Sequence, residues 1–260
     1  MALHLIFSAV SVAAAAVSYL TVPALSPWWL LLLLPGGYVA AAFAYVLAVL
    51  VIPALFLPKT DTPTFKPIYR PIAYYTLAWL VRLLGYRLTV SGADKLPDEP
   101  FLLVCNHRSA FDPLITIAAL KNRCFLTYVS KPEVMRVPLL GRIMWHASFL
   151  PIDRENPRRA VETIRQATSY ITERGLSIGI YPEGTRNKGE GLLPFHNGVF
   201  KIAKGAGCPV AVCTVRYDRR RVRLAVTAVL DKAFVAASPN AVIGERAREL
   251  MEQDLQATEE

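Results

Sequence analysis

The distribution of apolar and charged positions divides the chain at about residue 58. The first 58 residues contain two long apolar stretches, 3–25 and 30–57, and carry no Asp, Glu, Lys or Arg. Each stretch is long enough to cross or deeply enter a bilayer, which needs roughly 20 apolar residues. We therefore predict a hairpin of two hydrophobic helices, with Pro35-Gly36-Gly37 as a kink or turn, that either spans the bilayer twice or lies in one leaflet.

Residues 59–260 show a different pattern, in which short apolar runs alternate with amphipathic segments. Such runs predict strands, and apolar stripes at every third or fourth position predict helices. The expected strands are 88–91, 101–105, 124–129, 149–152, 177–181, 209–215 and 222–230. The expected helices are 71–84, 113–120, 132–145 with breaks at Pro138 and Gly141, 157–174, 197–206 and 239–256.

This order of elements predicts an α/β fold with a mixed, largely parallel sheet and flanking helices. We accordingly expect two domains, a membrane-embedded hydrophobic hairpin at 1–58 and a cytoplasmic α/β domain at 59–260. Four cysteines without metal-ligand spacing are interpreted as reduced core residues of the second domain.

The charge distribution supports this division. The chain has 29 Lys and Arg against 20 Asp and Glu, a net charge of +9, and all of these residues follow residue 58. A basic excess suits an anionic membrane surface, an anionic substrate or nucleic acid, and the uncharged leader favours the membrane over nucleic acid. The first charges after the leader are mostly positive, which predicts a domain on the cytoplasmic face of the cell membrane.

The most informative stretch is the connection 106–112, Asn-His-Arg-Ser-Ala-Phe-Asp, between an expected strand and an expected helix. Pro113 suits the first helical position and Asp112 suits the cap before it. Neutral imidazole can take a proton from an alcohol, and a nearby carboxylate fixes its tautomer and stabilises the imidazolium. His107 and Asp112 are therefore candidate catalytic residues, and the alternative is a helix cap beside a surface histidine.

A second polar group, Tyr-Pro-Glu-Gly-Thr-Arg at 181–186, follows another expected strand. Gly184 allows a ligand to approach the backbone, Thr185 can donate a hydroxyl hydrogen bond, and Arg186 can fork onto a phosphate. Glu183 would bind a substrate hydroxyl or hold Arg186 in place. The alternative is a solvated turn with one surface ion pair.

Further cations follow other expected strands. Lys131 and Arg154 could join Arg186 in one anion site, or each could be a solvated charge. The run 216–223 contains five arginines around Asp218. It could contact anionic lipid headgroups, the 3′-phosphate of coenzyme A or an acidic carrier protein, and the alternative is a solvated hairpin tip.

The order of these blocks resembles the glycerolipid acyltransferase family, and most of all its 1-acylglycerol-3-phosphate acyltransferases. The blocks are Asn-His-x4-Asp at 106–112, Lys-Pro-Glu at 131–133, Ile-Asp-Arg at 152–154, Pro-Glu-Gly-Thr-Arg at 182–186 and Cys-Pro-Val at 208–210. The resemblance runs from about residue 88 to residue 230, and the hydrophobic leader fits this membrane-bound family.

The resemblance implies transfer of a fatty acyl group from acyl-CoA or acyl carrier protein to the sn-2 hydroxyl of 1-acylglycerol 3-phosphate, giving phosphatidic acid. His107 would be the general base, Asp112 would orient it, and no covalent acyl-enzyme would form. The acceptor would be bound by Lys131, Arg154, Glu183, Gly184, Thr185 and Arg186.

The same resemblance implies no metal and no prosthetic group, with the acyl thioester as co-substrate. The expected partners are a lysophospholipid, the bilayer and, as one of the two donors, acyl carrier protein. Nucleic acid is not an expected partner, because such an interface would need more than one basic patch.

The sequence departs from the family pattern at two places. Phe195-His196-Asn197-Gly198 stands where relatives often have Phe-Lys-x-Gly, and Val212 stands near a position where a second proline is common. These departures leave room for glycerol 3-phosphate or another lysolipid as the acceptor. A non-catalytic protein that binds anionic lipid is a second hypothesis, and a lipid hydrolase or phosphatase is disfavoured because we recognise no nucleophile elbow and no metal-ligand cluster.

Overall fold

The computed structural model describes residues 2–22, 26–56, 69–138, 140–153 and 156–257. The chain separates into two compact units, Met1–Pro58 and Lys59–Glu260, and each is described by itself. Arg154 lies outside the described residues. The first charges after the leader, Lys59, Asp61 and Lys66, on which the orientation argument depends, also lie outside them.

The N-terminal unit consists of apolar helices, as the sequence predicts. Two helical stretches, Leu3–Thr21 and Pro27–Val51, have mean hydropathies of 1.9 and 2.0 and are long enough to cross a membrane. The elements are α1 Ala2–Thr21, a 3-10 turn Pro27–Trp29, α2 Leu30–Val46, a π-helical segment Leu47–Val51 and α3 Ile52–Phe56.

Helices α1 and α2 pack side by side in opposite directions. Phe7 contacts Tyr45 edge to face, and the Ser11 hydroxyl donates to the Leu34 carbonyl. The turn expected at 35–37 is wrong, because α2 continues through Pro35. A Cβ at Gly37 would lie 2.9 Å from Ser11 Oγ, so this glycine allows the two helices to approach closely.

In the described part of the second unit, seven strands form one sheet in the order β1-β7-β6-β2-β5-β3-β4. Their bounds are β1 Arg87–Ser91, β2 Leu102–Cys105, β3 Leu126–Ser130, β4 Leu150–Pro151, β5 Ser177–Ile180, β6 Val210–Asp218 and β7 Arg221–Leu230. Strands β2 to β6 are mutually parallel, β7 is antiparallel to β6, and β1 is parallel to β7. The predicted mixed, largely parallel sheet is confirmed.

The strand directions decide which loops meet. The loops that follow β2, β3, β5 and β6 lie at one end of the sheet, here called the carboxyl end. Ligands of α/β proteins commonly bind at this end. Because β1 and β7 run the opposite way, their first residues, Arg87 and Arg221, also lie at the carboxyl end.

Helices cover both faces of the sheet. They are α4 Tyr69–Leu83, α5 Asp112–Leu120, α6 Pro132–Met135, α7 Leu140–His146, α8 Pro157–Arg174, α9 Lys201–Ala206, α10 Lys232–Ala237 and α11 Asn240–Gln256. Alternate residues of β2 enter opposite cores: Leu102 and Val104 pack with α8, α9 and α11, whereas Leu103 and Cys105 pack with α4 and α5. This alternation follows from the two-residue period of a strand.

Helix α8 has its predicted bounds because both ends are encoded locally. The Asn156 side chain accepts a hydrogen bond from the Arg159 N–H at 3.2 Å, and Pro157 occupies the first helical position. Gly175 ends the helix with a φ of +63°, a left-handed conformation that glycine adopts readily.

Other helices differ from the prediction. The segment 132–145 is broken into α6 and α7 near Pro138, as expected, and a short helix, α10, precedes α11 where none was predicted. Asp112 is the first residue of α5, and Phe111 occupies the cap position. The prediction of Asp112 as the helix cap is wrong, because its carboxylate accepts hydrogen bonds from the turn that precedes the helix.

Candidate active site

His107 and Asp112 meet at the carboxyl end of β2. The imidazole Nδ1 lies 2.8 Å from Asp112 Oδ2. The Asp112 side chain is 1% exposed and the His107 side chain 18%, so the carboxylate is enclosed while the ring reaches solvent. Because an ionised carboxylate can only accept, Nδ1 carries the proton and Nε2 is left as a proton acceptor.

The Asp112 carboxylate is held by further donors. Its Oδ2 accepts from the backbone N–H of Arg108 at 2.7 Å and of Ser109 at 2.8 Å, and its Oδ1 accepts from the Tyr217 hydroxyl. Burial and the charge of Asp112 raise the pKa of Tyr217 above its ordinary value, so the phenol stays protonated and donates. These donors replace the water that a buried carboxylate loses and fix it against His107.

A stack of aromatic rings supports the imidazole. The His107 ring lies 4.1 Å from the Tyr181 ring, and the Tyr181 ring lies 5.3 Å from that of Tyr128, both with interplanar angles of 12°. The Tyr128 hydroxyl donates to Thr116 Oγ1 at 2.7 Å, which ties the stack to α5. Burial raises the pKa of Tyr128 and of Tyr181, so both rings stay neutral.

Glu183 joins two loops. Its Oε1 accepts from the His107 N–H at 2.8 Å and its Oε2 from the Leu193 N–H at 2.9 Å, and the residue is 3% exposed. Between the described side chains of Glu183 and Arg186 there is no hydrogen bond or ion pair. The carboxylate therefore braces the backbone around His107, and its predicted contact with the acceptor stays a prediction.

The loop 181–186 lies against the His107 turn. The Asn187 N–H donates to the His107 carbonyl at 2.7 Å. Arg186 directly precedes Asn187, and neighbouring Cα atoms are about 3.8 Å apart. The backbone of Arg186 therefore lies close to that of His107. Gly184 turns the loop with a φ of +75°. The side chains of Thr185 and Arg186 are exposed.

Lys131 directly follows β3 and is exposed. Strand β5 separates β3 from β2, so Lys131 and His107 follow strands that lie about 10 Å apart. The structure thus brings Lys131, Arg186 and His107 to the same end of the sheet. A joint phosphate site that includes Arg154 stays a prediction.

An open cavity of about 550 Å³ lies beside the candidate site. Arg108 lines it from the turn after β2, Tyr217 from β6, and Glu252 and Leu255 from α11. Neither His107 nor Arg186 contributes to its lining, so this cavity is not a common pocket for the two predicted site residues.

Three residues of the site carry roles that the sequence did not reveal. Asn106 donates to the Val215 carbonyl at 3.0 Å and accepts from its N–H at 2.7 Å, so its amide clamps the end of β2 to β6. Tyr181 and Tyr217 support His107 and Asp112. The sequence did offer one signal for these three residues, because each is a polar residue at the end of an apolar strand or directly after it.

The chain does contain one sequence with the spacing of a nucleophile elbow, contrary to the expectation above. Residues 175–179 have the spacing Gly-x-Ser-x-Gly, which is typical of a nucleophile elbow. Ser177 is 3% exposed and lies within β5, and its hydroxyl accepts from the Phe101 N–H at 3.2 Å. It is therefore a strand residue and not an exposed nucleophile on a strand-to-helix turn.

Among the described residues, no group of three or more His, Cys, Asp or Glu could hold a metal ion.

Comparison with known families gives one match to a family model. The model described as Acyltransferase matches residues 87–216, half of the chain, and this region contains His107, Asp112 and the loop 181–186.

Comparison with characterised proteins finds several 1-acyl-sn-glycerol-3-phosphate acyltransferases. The Salmonella typhimurium protein is 34% identical over 123 residues, 47% of this chain and 49% of its own length. The human alpha protein is 30% identical over 165 residues, 63% of this chain and 56% of its own, and the Cocos nucifera protein is 34% identical over 131 residues, 50% and 42% respectively. The chain thus spans about half the length of the curated relatives it matches.

Comparison with solved structures supports the fold. The crystal structure of the 1-acyl-sn-glycerophosphate acyltransferase from Thermotoga maritima superposes with a TM-score of 0.63, at 18% identity, over 84% of this chain and 93% of that one. At this identity the likeness concerns the fold alone.

Proposed function

The chain belongs to the acyltransferase family, and from this premise we propose that it acylates the sn-2 hydroxyl of 1-acylglycerol 3-phosphate to form phosphatidic acid. The donor is an acyl thioester, either acyl-CoA or acyl carrier protein. The relatives that carry this activity by name match at 30–35% identity. The family model covers the whole interval from the His107 turn to the loop 181–186.

One observation carries the proposal: the partly buried imidazole of His107, which still reaches solvent, is held by an enclosed carboxylate. The 2.8 Å contact between His107 Nδ1 and Asp112 Oδ2 leaves Nε2 free to accept a proton. A solvated surface histidine would need neither the buried partner nor the stack on Tyr181. A positioned general base of this kind contributes about 10²–10⁴-fold to a rate.

The reaction follows from this arrangement. His107 Nε2 takes the proton of the acceptor hydroxyl while the hydroxyl oxygen attacks the thioester carbonyl carbon. The new C–O bond gives a tetrahedral intermediate, and its collapse breaks the C–S bond. The leaving thiolate takes the proton back from the imidazolium, which Asp112 stabilises until then.

The acceptor phosphate is assigned to cations at the carboxyl end of the sheet. Arg186 lies beside the His107 backbone, and its guanidinium can bind two phosphate oxygens at once. Lys131 and Arg154 are assigned to the same phosphate, with Gly184 and Thr185 offering a backbone approach and a hydroxyl. Glu183 is assigned to the same acceptor site, and its carboxylate also braces the loops around His107.

The leader supplies access to a lipid acceptor. We assign Met1–Pro58 to the membrane as an anchor and Lys59–Glu260 to the cytoplasmic face. The apolar stretches Leu3–Thr21 and Pro27–Val51 support the membrane assignment by length and composition. This arrangement keeps the catalytic unit at the surface where the lysolipid resides.

The proposal is tested with the purified full chain, oleoyl-CoA and lysophosphatidic acid, with products read by mass spectrometry. His107→Ala should lower kcat by at least about 10²-fold, because the general base is lost. His196→Ala, which removes an exposed histidine from the neighbouring loop, is the matched control and should keep its activity. Normal transfer by a folded His107→Ala protein would end the assignment.

The same assay decides among acceptors and donors. Lysophosphatidic acid, glycerol 3-phosphate and a neutral lysolipid are each offered with acyl-CoA and with acyl carrier protein. Preference for lysophosphatidic acid supports the proposal, and preference for either other acceptor replaces it within the family. Lipid binding without any ester product would instead favour a non-catalytic role.

The role of Arg186 gives a separate prediction. Arg186→Ala should raise the KM for lysophosphatidic acid about tenfold or more with a smaller change in kcat, because a charge-assisted bidentate contact to phosphate is lost. Lys188→Ala removes an exposed cation two residues away and is the control. An unchanged KM in Arg186→Ala would remove this residue from the phosphate site.

A further inference from the structure

Four arginines form a cluster at the carboxyl end of the sheet, on strands β1 and β7 and the turn before β7. Arg219, Arg220 and Arg221 occupy the tip between β6 and β7, and Arg87 begins β1. All four are exposed, and together with Asp218 they line a groove of about 560 Å³. One carboxylate among four guanidiniums leaves the groove strongly positive.

Exposed apolar side chains adjoin this cluster. Leu84 is 51% exposed and Phe111 is 42% exposed. The Arg220 guanidinium donates to the Leu84 carbonyl at 2.9 Å, and the Tyr86 ring lies 6.0 Å from the Phe111 ring. Guanidiniums and apolar groups therefore share one surface, here called the arginine face: Arg87, Arg219, Arg220, Arg221, Leu84 and Phe111.

The arginine face continues into the candidate active site. Phe111 belongs to the turn between His107 and Asp112, and its backbone N–H donates to Ser109 Oγ of the same turn at 3.2 Å. A surface that docks through Phe111 would therefore lie against the turn that carries the imidazole.

We infer that the arginine face docks onto an anionic lipid bilayer, as a contact additional to the N-terminal helices. Lipid phosphates would pair with the guanidiniums while Leu84 and Phe111 enter the apolar layer beneath the headgroups. An acidic soluble protein would pair with the guanidiniums but leave Leu84 and Phe111 exposed to water. The inference rests on the proposed function, since docking at this face holds His107 at the surface where a lysolipid acceptor lies.

The test uses the full chain in vesicles and a readout that needs no acyl transfer. An environment-sensitive fluorophore is attached at Leu84→Cys in a Cys124→Ala background, because the other three cysteines are buried. Its emission should shift to the blue in vesicles containing phosphatidylglycerol, compared with pure phosphatidylcholine, and the shift should shrink in 0.5 M salt. The same label at Val242→Cys on α11, 45% exposed, should not respond.

Variants that remove positive charge test how much the arginines contribute to docking. In Arg219→Gln/Arg221→Gln the ratio of docked to undocked label should fall about 25-fold, since each arginine near an anionic surface contributes about fivefold. Arg165→Gln/Arg246→Gln removes the same charge from the middle of α8 and α11 and should leave the ratio unchanged.

Equal emission in both kinds of vesicle, an equal fall in both double variants, or a response only to added acyl carrier protein would each overturn the inference. Wild-type protein that docks but transfers no acyl group would refute the proposed function and leave the docking intact.

Discussion

At the scale of single residues, Asp112 shows how one side chain depends on others far along the chain. Its Oδ2 serves His107 and two backbone amides of the turn, and its Oδ1 accepts from Tyr217, 105 positions away. The orientation of the imidazole is therefore fixed both locally and by the end of β6. Glu183 has a similar position, because its two oxygens join the His107 turn to the loop at Leu193.

The contact between Tyr217 and Asp112 gives one prediction. Tyr217→Phe should lower kcat about tenfold and the free energy of unfolding by about 1–3 kcal/mol, because a buried carboxylate oxygen loses its donor. Steady-state kinetics and urea unfolding measure the two effects. Tyr75→Phe removes an exposed hydroxyl and serves as the control, and a Tyr217→Phe enzyme with unchanged kcat would show that the contact does not support catalysis.

Glu183 gives a second prediction. Glu183→Gln should reduce the free energy of unfolding by about 1–3 kcal/mol and lower kcat, since a glutamine offers only one carbonyl oxygen to two backbone amides. Glu190→Gln, in an exposed part of the same loop, is the control. Unchanged stability with a raised KM for the acceptor would contradict bracing and favour direct contact with substrate.

At the scale of elements, the centre of the sheet holds the stack beneath the imidazole. Gly179 of β5 pairs with Leu103 of β2 on one side and Tyr128 of β3 on the other. The Tyr128 ring occupies the space above Gly179, where a Cβ would meet its Cε1 at 2.3 Å. A strand glycine of this kind marks a place where another group approaches closely, and here that group is the ring that supports Tyr181 and His107.

This packing predicts the effect of one methyl group. Gly179→Ala should cost about 1–3 kcal/mol of unfolding free energy through overpacking and should also lower kcat, because Tyr128 must move away from Tyr181. Gly198→Ala, whose Cβ would meet nothing within 4 Å, is the matched control. A Gly179→Ala protein with wild-type stability and activity would show that the stack can shift without consequence.

At the scale of the whole molecule, the chain combines an uncharged leader with a basic α/β unit that buries several thiols in protonated form. Burial raises the pKa of Cys124 to about 12 and that of Cys208 to about 11, from 9.0 for a free thiol. It also raises the pKa of Cys105 and Cys213. These thiols are free, and Cys105, Cys208 and Cys213 are buried, which agrees with their interpretation as reduced core residues, whereas Cys124 is only partly buried.

The raised thiol pKa values predict loss of stability at alkaline pH. Above pH 9 the unfolded chain releases thiol protons that the folded chain retains, so the free energy of unfolding should fall as pH rises from 9 towards 11–12. Cys124 and Cys208 together should contribute a loss of about 2–4 kcal/mol by pH 10.5, measured by urea unfolding of the reduced full chain in detergent. Cys124→Ala should lose less over the same interval, and a free energy that stays constant from pH 9 to 10.5 would contradict the burial of these groups.

The sequence alone determined where the chain divides, the succession of strands and helices along it, and the two polar blocks. These features are local, because each depends only on residues that are near one another in the chain. Examples are an apolar run, the two-residue period of a strand, and the residues Asn156 and Gly175 that cap α8. The His–x4–Asp spacing also needed only local information, because one short turn joins His107 to Asp112. Most boundaries came within two residues, and the error at Asp112 arose because its carboxylate found donors before the helix and not within it.

Tertiary structure decided what these residues contact. The neighbours of β2 are β5 and β6, so Glu183 and Tyr217 reach the His107 turn from positions more than 70 residues away. The reversed directions of β1 and β7 bring Arg87 and Arg221 to the same end of the sheet. Strand order and direction depend on how whole elements pack against one another. No local pattern records that packing, so the sequence did not predict that the Glu183 carboxylate accepts from two backbone amides.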